Sequence, residues 1–336
     1  MISNAAAYYL WPTVWVGSSP SSVLDIDVKM LGEEVYRTDL PVGIKVKVLR
    51  EGMFIFDFSG WPPGCAIQND KPDAFDAMAA VILQRVAVIN THLACLYTAL
   101  SRRQHCALDK MIVTPSELIS LKSLDDTGMS FGDLRVCALA LARYPSTYTH
   151  SETAIFDWRI NQRTTLVEVG TIAESFKLLV AILQHPTPHA LLVTDLFARS
   201  CKAYEDHNYS LCLTVAWAII EKLLQLLWER YVEQNHEREI DGVKVNFINK
   251  TRREKLTESR DFNASVISEI LSITNTLPFS LYQEITKVRQ TRNNWIHDLE
   301  PVSREIAETS VSMATKLLNL ADGINLDVPL ISRIHE

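Results

Sequence analysis

The sequence predicts an α+β protein that is predominantly α, with a small antiparallel β-sheet and a long helix in its N-terminal part and an up-and-down helical bundle in its C-terminal part. Three observations predict this. Apolar and polar residues alternate between Val23 and Phe58, apolar residues recur at helical spacing with few breaks after residue 190, and Pro186-Thr-Pro188 punctuates the chain between the two patterns. The expected divisions are an N-terminal α+β module over 1–187, a helical bundle over 188–323 and a tail over 324–336.

The elements follow in order. Met1 to Pro12 has no basic segment and meets Pro12 too early for a secretion signal or a membrane span, so it reads as an ordered arm of a cytoplasmic protein. Leu24, Ile26, Val28 and Met30 alternate with Asp25, Asp27 and Lys29. Ile44, Val46 and Val48 then alternate with Lys45 and Lys47, and Met53 to Phe58 continues the pattern, which predicts a meander. Asp25 and Asp27 fit the wet face of a strand better than a metal site. From Asp73 to Arg103 no Gly or Pro interrupts an apolar periodicity, as expected of a long helix packed on the sheet. A strand is expected at Met111–Val113. Thr114-Pro-Ser-Glu117 has the form of a capping box opening a helix, and further helices are expected near 131–143 and 171–184.

The last section is helical almost throughout. A short helix near 190–204 leads to Asn208, a cap for a long helix over 209–234 whose apolar surface (Leu213, Trp217, Ile220, Leu224, Leu227, with Ala216, Leu223 and Leu226) is too broad for one stripe. Glu221 interrupts that surface and is either half-exposed or part of a polar site. Residues 244–260 hold Lys244, Lys250, Arg252, Arg253, Lys255 and Arg260 as a basic loop and helix start, either solvated or a lip that tracks phosphates. Helices are expected over 263–275 and 280–298, and Ser303 caps the last one, which runs to Asp322.

Composition bounds the function. At 336 residues the chain exceeds one core, and 47% apolar with 22% charged residues is ordinary for a soluble folded protein. A net charge of -7 excludes a generally basic nucleic-acid coat, so any RNA contact is local. Six cysteines without CxxC spacing suit buried thiols in a reducing compartment rather than zinc. The sequons at Asn208, Asn249 and Asn263 carry no meaning without a secretory route. P-loop, GxSxG and dinucleotide fingerprints are absent from the sequence.

The residues that point to chemistry are Arg292-Asn293-Asn294-Trp295-Ile296-His297. Guanidinium stabilises charge developing on a phosphate and imidazole moves a proton, the two tasks of metal-free RNA cleavage. Spacing alone is weak, since about half of one RxxxxH match is expected by chance. Arg85/His92, Arg143/His150 and Arg230/His236 fit a slightly looser gap. The plain alternative has Trp295 and Ile296 in the core with Arg292 and His297 at the rim. Five residues along an ideal helix turn through about 140° beyond a full revolution, so Arg292 and His297 do not share a face. Either the last turn unwinds or two copies meet across a twofold axis.

The long helix bearing Ala216-Trp-Ala-Ile-Ile-Glu221, the basic connection and the hexad ahead of a final helix together resemble the HEPN superfamily over residues 190–322. The resemblance implies a metal-independent endoribonuclease without a cofactor, in which the RNA 2'-hydroxyl attacks its own phosphate and leaves a 2',3'-cyclic phosphate. Arg292, Asn293 and His297 would be catalytic: His297 as general base or acid, Arg292 on the phosphate oxygens, Asn293 as orienting residue. Lys250, Arg252, Arg253 and Arg289 would bind substrate, with Glu221 and Asp298 as supporting polar residues. The resemblance also implies a homodimer through the bundle, RNA as partner, a toxin or antiviral defence role, and an antitoxin or trigger-sensing partner. The alternative is a non-catalytic HEPN-like module that binds a nucleotide or a protein.

Overall fold

The computed structural model describes residues 4–10, 14–19, 28–61, 74–106, 108–125, 165–259 and 261–330. The fold is α+β and mainly helical, with the antiparallel sheet near the N-terminus. Two compact units make up the chain, Met1–Ala198 and Arg199–Glu336. The division falls inside the helix Ala190–Glu205 rather than at Pro186-Thr-Pro188. Side-chain bonds explain the shift: Asn90 donates to Asp195 (2.8 Å) and Thr91 to the Leu191 carbonyl (3.3 Å), which tie the first half of that helix to the N-terminal unit.

In the first unit a five-stranded sheet has the order β3-β4-β5-β1-β6, with β1 Ala5–Tyr9, β3 Glu34–Asp39, β4 Lys45–Leu49, β5 Met53–Asp57 and β6 Ile119–Leu121. Every pair in it is antiparallel. A separate parallel pair joins β2 (Trp15–Val16) to β7 (Leu166–Val167). The expected arm is thus partly a central strand. All five residues of β1 are buried, so no polar face marks it in the sequence. Tyr8, Phe54 and Phe56 meet α2 (Ala74–Gln104) and α3 (Val169–Leu183) on one face, where Phe176 and His92 stack 4.2 Å apart. Ala5, Ala7, Tyr9, Ile55 and Ile119 form an apolar cluster on the other face.

Several expectations change here. Val28–Leu31 is a single helical turn, α1, rather than strand, and Asp25 and Asp27 lie outside the described residues. Met111–Val113 is irregular, because both backbone groups of Val113 bond to the Asn90 side chain and not to a neighbouring strand. Glu117 does accept from the Thr114 amide (2.9 Å), but the box opens one 3-10 turn, Pro115–Glu117, and β6 follows. The helix expected near 131–143, and with it Arg143/His150, lies outside the described residues.

The second unit begins within α4 (Ala190–Glu205) and continues through α5 (Tyr209–Gln234), a hairpin of β8 (Glu237–Ile240) and β9 (Val243–Asn246), α6 (Lys250–Glu258), α7 (Ala264–Ile273), α8 (Phe279–Asp298) and α9 (Arg304–Asp322). Contacts fix the directions. Cys212 reaches the Ala307 carbonyl while Arg230 pairs with Asp322, so α5 and α9 run parallel. Lys287 pairs with Glu305 and Lys316 with Glu284, so α8 runs against α9. Asn208, Asn249 and Asn263, the three sequon positions, each cap a helix by accepting a backbone N–H. The hairpin takes only the first three residues of the basic run, 244–246, into β9, and α6 takes Lys250–Glu258. Asp241 and Gly242 both hold positive φ (53° and 80°), as a two-residue type I' turn requires. In the tail, Ile324 and Leu326 are buried.

Two helices, Asp76–Gln104 and Tyr209–Gln234, are long and apolar enough to cross a membrane by length and composition. Their most apolar windows are 61% and 50% buried inside the protein, so packing already accounts for much of that apolarity. Cys95, Cys201 and Cys212 are buried and Cys106 is half-buried. Burial raises the Cys212 thiol to about 11 and Cys95 further, which keeps both protonated.

Candidate active site

Helix α8 buries Leu281, Ile285 and Val288, a stripe at spacings of four and three. The next positions of that stripe are Arg292 and Trp295, both half-buried. His297 lies nine residues past Val288, about half a revolution round the helix, and is exposed together with Asp298. The helix stays regular through Asp298 and stops at Leu299, which takes the left-handed conformation (φ 56°) and donates its N–H to the Trp295 carbonyl. The unwound last turn is therefore not what this structure has. Within one chain the guanidinium sits toward the bundle and the imidazole away from it. Trp295 is only half-buried and Ile296 is 42% exposed, so neither belongs to the core.

Arg292 donates from Nη1 to the Oδ1 of Asn293 (3.1 Å), while its Nε is buried without a hydrogen-bond partner. No carboxylate among the described residues pairs with Arg292. Its charge is held in place but not neutralised, a state that favours an anionic ligand. Asn294 donates to Glu300 (2.8 Å) and ties the helix end to the loop behind it. The other arginine–histidine pairs differ in kind. Arg230 is paired with Asp322 (2.7 Å), and His236 bonds the Glu233 carbonyl beside it. Arg85 lies over the Phe58 ring and His92 is buried among aromatic rings.

The basic residues Lys250, Arg252 and Arg253 occupy the first turn of α6 and are exposed. Cations there oppose the helix dipole, a local cost that the capping bond donated by the Arg252 N–H to Asn249 Oδ1 (3.0 Å) offsets. Each has a neighbour: Lys250 reaches Glu254 at 4.0 Å, Arg252 stacks on Phe247 at 4.6 Å, and Arg253 pairs with Glu233. The far end of α6 is anchored to α5, since Trp228 donates to the Leu256 carbonyl (2.7 Å) and Gln225 to that of Thr257 (3.1 Å). Arg289, one turn before Arg292, is half-buried, and Glu221 is exposed on α5.

Sequence reasoning passed over a further polar group. Tyr204, His207, Tyr209, Arg304 and Glu308 gather where α5 and α9 begin, the same end of the bundle at which α8 stops. The residues are scattered over about a hundred positions, so no local motif marks them. Among the described residues, no three His, Cys, Asp or Glu side chains come together as a metal site would need. No protein-family model, no curated protein and no solved structure matches the chain.

Proposed function

We propose that the C-terminal unit is a metal-independent endoribonuclease of HEPN type, acting as a homodimer in which Arg292 and Asn293 of one copy work with His297 of the other. The observation that carries this reading is the state of Arg292: oriented by Asn293, half-buried, and without a carboxylate partner among the described residues. An unneutralised guanidinium held toward the protein interior suits a phosphate that arrives from outside. In the reaction, an imidazole takes the 2'-hydroxyl proton as its oxygen attacks the phosphorus. The 5'-oxygen then leaves with a proton given by imidazolium, while guanidinium offsets the charge on the non-bridging oxygens.

The division of labour between copies follows from the helix. Arg292 and His297 face about 140° apart on one regular α8, so one copy does not bring both to one phosphate. Ile296 and Leu299, 42% and 70% exposed, lie on either side of His297 in the chain and would lose water against a second copy. Lys250, Arg252, Arg253 and Arg289 would follow the RNA backbone, and a cytoplasmic defence or toxin role, with an antitoxin or trigger-sensing partner, goes with this reading. The test is cleavage of a mixed RNA pool with EDTA present. Products ending in 2',3'-cyclic phosphate, abolished in His297→Ala, are expected; a strict need for a divalent metal would refute the mechanism.

One observation favours a second reading, a non-catalytic module binding a nucleotide or protein. Among the described residues His297 has no hydrogen-bond partner to set its tautomer. Under that reading Arg292→Ala weakens ligand binding while concentrated wild-type protein gives no RNA product.

A further inference from the structure

Helix α9 starts with a cation that has no local reason to be there. Ser303 caps it by accepting from the Ile306 amide (3.3 Å), and Arg304, its first residue, opposes the helix dipole. Arg304 is exposed, yet its guanidinium is not loose: Nε donates to the Tyr204 hydroxyl at 3.1 Å. Tyr204 is 1% exposed and donates in turn to Glu308 (3.2 Å), so a buried phenol sets the plane of an exposed guanidinium. Burial holds the Tyr204 phenol above its ordinary value, so it stays a neutral donor and acceptor.

The nearby acids are otherwise engaged. Glu305 pairs with Lys287 and Asp206 with Lys202, and no carboxylate among the described residues lies within ion-pair distance of Arg304. Its Nη1 and Nη2 have no hydrogen-bond partner among the described residues. Beside it stand two rings. Tyr209 packs against Tyr204 at 5.8 Å, and His207, exposed and at positive φ (57°), meets Tyr209 edge-on with Nδ1 2.9 Å from its hydroxyl. A left-handed histidine is a strained choice that persists where the surroundings fix it.

We propose that Arg304, held by Tyr204, together with His207 and Tyr209 forms a second subsite for single-stranded RNA, taking one backbone phosphate on the guanidinium and an adjacent base against the rings. The choice of RNA as ligand rests on the ribonuclease reading above. Arg304 lies seven positions after His297 in the chain, a reach of at most about 25 Å, so one strand can serve both. The terminal nitrogens of an Nε-anchored guanidinium suit a phosphate bidentately, and aromatic faces take any base, so the subsite fixes a strand without reading its sequence.

The test uses the full chain and a short single-stranded oligonucleotide with 2'-O-methyl sugars, which cannot be cleaved by 2'-hydroxyl attack. Arg304→Gln should weaken binding about five- to tenfold and flatten the dependence of log affinity on log salt by about 0.7, one phosphate contact on a single strand. Arg304→Lys should restore the slope but not the full affinity, since lysine keeps charge without the anchored fork. Tyr204→Phe, which keeps the ring in the core, should lose part of the affinity with an unchanged slope. Lys177→Gln, in the other unit, serves as the control. Unchanged affinity and slope in Arg304→Gln, with a melting temperature equal to wild type, would overturn the subsite even if EDTA-resistant cleavage persists. Binding that depends on Arg304 in a protein that yields no RNA product would uphold the subsite and remove the ribonuclease. No binding of the oligonucleotide by wild type would overturn the subsite, and the cleavage assay with EDTA would still decide the ribonuclease.

Discussion

His92 and His297 follow an arginine at nearly the same distance in the chain, and they meet opposite surroundings. His92 is wholly buried between strand and helix. The Ser175 hydroxyl proton goes to the Ile172 carbonyl (2.7 Å), so His92 Nε2–H donates to Ser175 Oγ and the Tyr8 hydroxyl donates to Nδ1, each at 3.0 Å. Both ring nitrogens are satisfied, and desolvation lowers its pKa to about 3. His297 is exposed at the end of α8, beside large apolar side chains. A histidine with both nitrogens committed holds a fold; one with both open can move a proton. The arginines differ in parallel: Arg85 lies over a phenyl ring, whereas Arg292 is oriented by an amide and left without a counter-ion among the described residues.

The sharpest way to break this contrast is to remove each imidazole. His297→Ala should lower RNA cleavage by about 10²- to 10⁴-fold with the melting temperature unchanged, read from product formation and a thermal melt. A loss of stability instead would place His297 with the structural histidines. His92→Ala should cost about 3 kcal/mol in urea unfolding, because it leaves a void among Phe54, Phe56 and Phe176 and strips the Tyr8 hydroxyl of its partner.

Acid separates the two in a different way. The folded pKa of His92, about 3, is below the 6.5 of an unfolded histidine, so the unfolded chain binds the extra proton first. The stability linked to His92 is whole above pH 6.5 and drains away as pH falls toward 3, by up to about 1.4 kcal/mol per pH unit. Urea midpoints measured between pH 7 and 5 should fall in wild type and stay flatter in His92→Phe. The Arg37 bond lowers the carboxyls of Glu34 and Asp125, which act in the same direction only at lower pH.

Smaller effects sharpen the picture of the basic turn. Asn249→Ala should cost about 1 kcal/mol by removing the cap that holds three cations at the start of α6, and should weaken RNA binding with it. Arg230→Gln should leave cleavage within about twofold of wild type, because the Arg230 charge is already spent on Asp322.

Much of the second unit was readable from the chain. Periodicity placed α5, α8 and α9, Asn208 and Ser303 announced their caps, and a five-residue spacing on a regular helix required Arg292 and His297 to diverge. The meander was readable in β4, where Lys45 and Lys47 alternate with Val46 and Val48 in the sequence, although everything in that strand after Lys45 is buried. What escaped had no local signature. Strand β1 is buried along its whole length and so lacks alternation; and Val113 takes its hydrogen bonds from a side chain twenty-three residues away. The Asp241-Gly242 turn did carry a local signal, but it stands just ahead of the run read for its charge and was passed over.

The sequence by itself determined the helical character, the capping, and the angle between arginine and histidine, because each depends only on neighbours within a turn or two. The tertiary structure decided which arginine meets a counter-ion and which histidine is sealed, since those depend on groups such as Asp322, Tyr8 and Ser175 that reach them from distant parts of the chain. It also decided that Tyr204 meets Arg304 across a hundred residues. Solvation and charge pairing are properties of a place in space, and a linear pattern does not encode who arrives there.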